Sequence, residues 1–190
     1  MIDYFALLQQ PRRPWLDPEQ LKQKHQQLTL AAHPDRQGPN KPALNFAAIN
    51  EAYRVLSDPK LRLQHLLSLE DRNPIATQSI PPELTELFTR TGTAIRDVDR
   101  LVEKLRGTNS VLSKSLLRSE VLEAQKSSNE LLDELQNLFV NTRDALKQLD
   151  ATWDDGREDA TEDLAKLYRH FSYLGRWMDQ LRERQFQLSI

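Results

Sequence analysis

The sequence predicts an all-α protein: a helical hairpin with short flanking helices, then an elongated antiparallel three-helix bundle. Three observations carry this. The 190 residues include only 5 Gly. All ten prolines fall at or before Pro82, so helix breakers are confined to the first part of the chain. Apolar residues recur at spacings of three and four, the period of a helix with one buried face.

Taken in order, Asp3 to Leu8 predicts a short helix with Tyr4, Leu7 and Leu8 on one side, closed by Pro11 and Pro14. Asp17-Pro18 is an N-cap followed by proline at the first helical position, where the missing N–H costs nothing. The helix it opens runs to about Ala32, with Leu21, Leu28 and Ala32 inward, and Pro34 stops it. After a polar loop from Arg36 to Lys41, a helix from Pro42 carries Phe46, Ile49, Tyr53 and Leu56 on one stripe. Asp58-Pro59 repeats the capped start and opens a shorter helix with Leu63, Leu66 and Leu67 inward.

Residues 71–82 are rich in turn formers and read as a linker between a domain at 1–70 and a second at 83–190. The second domain begins at Pro81-Pro82 with a stripe at positions 84, 88, 91, 95, 98, 102 and 105, apolar except at Thr91. A turn at Gly107 to Ser110 leads into a very long helix toward Leu149, with a candidate interruption at Ser127 to Asn129. A third helix from about Thr161 sets Leu164, Leu167, Phe171, Leu174, Met178 and Leu181 on one seam.

Charge and composition remove whole classes of function. With 26 Lys+Arg against 28 Asp+Glu the chain lacks the positive field that non-specific nucleic-acid binding needs, so no nucleic-acid partner is expected. The absence of Cys excludes disulfides, thiolate catalysis and clusters held by the chain's own thiolates. No run approaches a membrane span and the N-terminus lacks a basic segment before an apolar one, so a soluble cytoplasmic protein without membrane contact is expected. His25, His65 and His170 show no metal spacing and read as surface or satisfied core residues. No nucleophile–base pair or phosphate-binding glycine loop occurs, so no catalytic residues, metal or cofactor are assigned and no enzyme is expected.

The informative motif is His33-Pro34-Asp35, in the loop between two amphipathic helices. With the short first helix and the run Ile49-Asn50-Glu51-Ala52-Tyr53-Arg54-Val55-Leu56-Ser57-Asp58, residues 2 to about 69 resemble the J-domain of DnaJ-type co-chaperones. The opening Asp3-Tyr4-Phe5, Arg62 with Leu66-Leu67-Ser68-Leu69, and the linker and three-helix layout are similar to the HscB-type co-chaperones of iron-sulfur cluster assembly. The resemblance implies binding to a DnaK-type chaperone, stimulation of its ATPase and delivery of a client, with the cluster scaffold protein as a candidate client. The local physics agrees, since Pro34 keeps the loop out of helix and leaves Asp35 as an acceptor for an arginine fork.

The residues placed at the chaperone interface are His33, Pro34, Asp35, Arg36, Lys22, Lys24 and Asn50. Lys22 and Lys24 read equally as solvated charges, and Asn50 reads first as interhelical packing. The family's scaffold-binding helix carries apolar residues and then an Arg-Glu-Glu-Leu-like segment. Here Leu84, Leu87 and Phe88 are the candidate client patch, with no such acidic segment after Arg90. Because the stripe takes in Leu84 and Phe88, Leu87 is the one expected at the surface. The competing function is a J-like structural or interaction protein without chaperone-stimulating activity.

Overall fold

The computed structural model describes residues 2–32, 46–70, 79–108, 110–153 and 160–188. No strand occurs among the described residues. Seven α-helices are formed there: α1 (Tyr4–Leu7), α2 (Pro18–Ala31), α3 (Phe46–Ser57), α4 (Pro59–Leu69), α5 (Thr85–Arg106), α6 (Val111–Ala151) and α7 (Ala160–Leu188). A 3₁₀ turn, Pro82–Leu84, leads into α5. The chain divides into two compact units that are not contiguous in sequence. One comprises Met1–Gln78 and Arg143–Tyr168, the other Ser79–Thr142 and Arg169–Ile190.

In the first unit the predicted caps form. The Asp17 carboxylate accepts the Gln20 N–H at 2.8 Å and the Asp58 carboxylate accepts the Leu61 N–H at 2.8 Å, each with proline next in the chain. Asp3 caps α1, accepting the Phe5 and Ala6 N–H groups. α3 packs against α1, α2 and α4. Its buried side is Ile49, Ala52, Val55 and Leu56, completed by Phe5, Leu8, Leu21, Leu63, Leu66 and Leu67. This corrects the expected stripe at its first position and weakens it at its third, since Phe46 is exposed and Tyr53 only half-buried. Ala52 takes the place against the core, and the Tyr53 ring stacks on His25 of α2.

In the second unit one cluster joins Leu84 and Leu87 of the α5 end to Leu131 and Leu135 of α6 and Leu174, Trp177, Met178 and Leu181 of α7. A second cluster joins Val98, Leu101 and Val102 to Leu188. α6 is one uninterrupted helix of 41 residues, about 60 Å at 1.5 Å per residue. The expected interruption at Ser127 to Asn129 does not occur, and Ser128 is buried within the helix.

Thr91, the polar member of the predicted stripe, is buried on α5 between the positions that feed the two clusters, and its hydroxyl has no hydrogen-bond partner. A Thr91→Val chain, nearly the same shape without the orphaned hydroxyl, is expected to gain about 1 kcal/mol. Urea unfolding checks this as a higher midpoint at unchanged slope.

Candidate functional site

The segment that carries His33, Pro34, Asp35 and Arg36 lies outside the described residues, bounded by the end of α2 at Ala31 and the start of α3 at Phe46. What is described is the frame that holds the two helices. Across it, the His25 Nε2 of α2 lies 2.8 Å from the Asn50 Oδ1 of α3, and the imidazole stacks on Tyr53 with centroids 4.2 Å apart and planes at 16°. The ring nitrogen donates, because a carbonyl oxygen can only accept. Asn50 therefore ties α2 to α3, in agreement with the packing role read first from the sequence.

Lys22 and Lys24 stand two residues apart, about 200° around α2, and so lie on different faces. Lys22 is exposed. Lys24 is half-buried, on the same side of α2 as Leu21 and Leu28. Two exposed apolar side chains that sequence reasoning missed, Leu30 near the end of α2 and Phe46 at the start of α3, flank the His-Pro-Asp segment on either side. The signal was available: Leu30 lies off the Leu21, Leu28, Ala32 stripe.

Arg62 anchors the base of this frame. Buried in α4, it donates from Nε to the Pro14 carbonyl at 2.8 Å and from Nη1 to the Leu56 carbonyl at 2.6 Å, one of the open carbonyls at the end of α3. Burial lowers its pKa to about 10, with Asp58 and Asp150 opposing the shift, so it remains a cation at neutral pH. The Arg62 guanidinium also lies 5.8 Å from the centre of the Trp15 ring, and the Lys147 ammonium lies 4.8 Å from it.

The end of α6 completes the same unit. Asp150 accepts the Trp15 N–H at 3.1 Å through its carboxylate and the Arg13 Nη2 at 2.9 Å through its backbone carbonyl. Trp153 is buried and donates its indole N–H to the Arg12 carbonyl at 3.2 Å. No local pattern could have revealed these contacts, which join residues about 140 positions apart.

His65, buried in α4, accepts the Tyr4 N–H on Nε2 at 3.1 Å, which fixes it as neutral imidazole with its proton on Nδ1. Burial lowers its pKa, with the nearby Asp3 carboxylate pulling weakly the other way. Burial also opposes ionisation of Asp3, but the Arg12 fork and the Ala6 and Phe5 N–H groups outweigh it and hold that carboxyl below its ordinary range. The unfolded chain's imidazole takes up a proton near pH 6.5 while the folded one does not, so the stabilisation is complete above that pH and falls as the pH drops through it. The melting temperature is expected to fall between pH 7.5 and 5.5, and His65→Gln, which retains an acceptor for the Tyr4 N–H, to flatten that slope. Equal slopes in the two proteins would remove His65 as the cause.

The candidate client patch is corrected in detail. Leu84 and Leu87 are both buried, Leu87 with 6% of its surface exposed, whereas Phe88 is 47% exposed. At about 100° per residue Leu87 shares the buried face of α5 with Thr91, Val98 and Val102, and Phe88 falls at its edge. Phe88 rests beside Trp177 of α7, with centroids 6.2 Å apart, while Arg90, about 200° further round α5, forms a fork with Glu134 of α6 with bonds of 2.9 and 2.6 Å.

Residues 3–65 match the family model of the DnaJ domain. That stretch of the chain is similar to a DnaJ domain. It is 37% identical over 75 residues to the co-chaperone protein HscB of Proteus mirabilis (strain HI4320), a match covering 36% of this chain and 43% of that protein, so less than half of that relative's length. In fold the chain is similar to the chaperone HscB from Vibrio cholerae, at a TM-score of 0.53 and 17% identity, covering 97% of this chain and 99% of that one. The human co-chaperone protein HscB has a TM-score of 0.50 at 17% identity, over 97% of this chain and 83% of that one. The all-α class and the J-domain, HscB-like layout expected from the sequence are borne out. No helix among the described residues is long and apolar enough to cross a membrane.

Proposed function

We propose that the chain is a non-enzymatic, cytoplasmic co-chaperone that binds a DnaK-type chaperone through its J-domain, stimulates its ATPase and delivers a client. The observation that carries this reading is the His33-Pro34-Asp35 motif between α2 and α3 of a DnaJ domain. Asp35 is the acceptor for an arginine of the chaperone, and His33, Pro34 and Arg36 shape and flank that contact. Lys22 and Lys24 add positive charge that steers the encounter, and Asn50 holds the hairpin rigid. Leu30 and Phe46, exposed on the helices either side of the motif in sequence, supply apolar surface that the chaperone can cover.

In this reading residues 1–70 face the chaperone, 71–82 link, and 83–190 select the client. The proposed client patch centres on Phe88, with Leu84 and Leu87 supporting it from the core side. The iron-sulfur scaffold is the proposed client.

The test is steady-state ATP turnover by a DnaK-type chaperone with increasing amounts of this chain, with and without an iron-sulfur scaffold. Stimulation that rises further with scaffold supports scaffold delivery. Stimulation indifferent to scaffold keeps the co-chaperone and assigns another client. No stimulation at about 100 µM, well above a useful transient affinity, overturns the proposal in favour of a J-like interaction protein.

A further inference from the structure

Over its first four turns α6 is apolar on two opposite sides. On one side Leu117, Val121 and Ala124 pack against the cluster of Val98, Leu101, Val102 and Leu188. At about 100° per residue, Leu112, Leu116 and Leu122 project from the other side, with Ser115 and Ser119 among them. These leucines are 73%, 71% and 59% exposed, and both serines are exposed. From Lys126 onward the same side is polar, carrying Glu130, Asp133 and Asn137, all exposed. A helix that already buries one face has no need of a second apolar stripe for its own fold, and such a stripe marks an interaction surface.

Its spacing and charges identify the occupant. Positions 112, 115, 119 and 122 alternate three, four and three, the seam of a helix pair, and the two serines let backbones approach closely. Arg118 and Glu123 flank the seam on opposite edges, and neither forms an ion pair among the described residues. When two such helices run parallel in register, the flanking residue of one copy faces the residue five positions on in the other. Arg118 then meets Glu123 of the second copy, and the two-fold axis repeats the pair. An antiparallel arrangement sets like charges against each other.

We infer that this chain pairs with a second copy of itself through the Leu112, Leu116 and Leu122 face of α6, the two helices parallel and Arg118 of each copy against Glu123 of the other. Three leucines bury less than the roughly 800 Å² per partner of a standard interface, so the pair is weak, with a Kd of about 10 to 100 µM.

Sedimentation equilibrium of the full chain from about 5 to 500 µM, spanning that Kd, tests this directly. The average mass is expected to climb from 22.1 kDa toward twice that value, and a Leu112→Glu, Leu116→Glu chain to stay at 22.1 kDa with unchanged helix content. Arg118→Glu raises the Kd at least about threefold and adding Glu123→Arg restores it, as expected of an exchanged charge pair. Because the chain has no cysteine, Ser115→Cys and Ser119→Cys each supply a single thiol. In the parallel register each cross-links to its own counterpart. A wild-type mass fixed at 22.1 kDa, association that survives the double glutamate change, or cross-linking at fewer than both serine positions overturns the inference.

Discussion

A His33→Gln chain is expected to leave a DnaK-type chaperone at its unstimulated rate of ATP turnover while melting within about 1 °C of the wild type, because surface substitutions away from core and caps are nearly neutral. The described core of the first unit is built from Leu21, Ile49, Ala52, Leu56, Leu63 and Leu66. The caps at Asp17 and Asp58 and the Arg62 anchor are made by other residues. What changes is the chemistry offered to the partner, since Gln supplies neither the ring nor its ring nitrogens. Asp35→Asn should act through a different route, removing the charge from the hydrogen-bond acceptor at a cost of about 2 kcal/mol, or about 30-fold in chaperone affinity. A folded His33→Gln protein that stimulates as well as wild type would falsify the mechanism.

Arg62→Met is expected to be the most damaging single change to stability, about 3 to 5 kcal/mol. Replacing a buried ion by a hydrophobe is harmless only when its partners go too, and here they stay: the carbonyls of Pro14 and Leu56 lose their donor. Proton loss from the wild-type guanidinium offers no relief near neutrality, since its lowered pKa is still about 10. Arg62→Lys keeps a cation but not a planar fork that reaches two carbonyls, so it should fall between the two. Denaturant unfolding followed by far-UV circular dichroism gives the comparison. A loss below about 1 kcal/mol for Arg62→Met would mean that water satisfies both carbonyls equally well.

How much of this was legible in the sequence depends on how local the cause is. Asp17-Pro18 and Asp58-Pro59 act within one turn, and both helices begin where those pairs stand. The Leu63, Leu66, Leu67 face and the α7 seam needed only the helical period. Ser127 and Ser128 suggested an interruption because serine competes for backbone hydrogen bonds. In the middle of a helix already nucleated, that preference is worth only tenths of a kcal/mol, and packing around Ser128 overrides it. Phe88 and Leu87 exchanged places because the buried face of α5 is centred on Leu87, Thr91 and Val98, so that a stripe drawn through Phe88 and Ile95 runs along its edge. The His25–Asn50 pairing and the Arg62 anchor belong to tertiary structure, and nothing within a few residues of either specifies its partner. Position 62 entered the sequence reading only through resemblance.

The contacts of Asp150 and Trp153 with Arg12, Arg13 and Trp15 bear on the order in which a nascent chain can acquire its structure. Residues 1–78 leave the ribosome about seventy residues before Asp150 does, a delay of roughly 4 to 14 s at about 5 to 20 residues per second. Throughout that interval the loop before α2 lacks the carboxylate that accepts the Trp15 N–H and the indole that donates to the Arg12 carbonyl. The amino-terminal helices can collapse around Ile49 and Leu56 early, yet their unit is finished only when the last third of the chain arrives. Synthesis thus separates the appearance of the His-Pro-Asp motif from the completion of the unit that carries it.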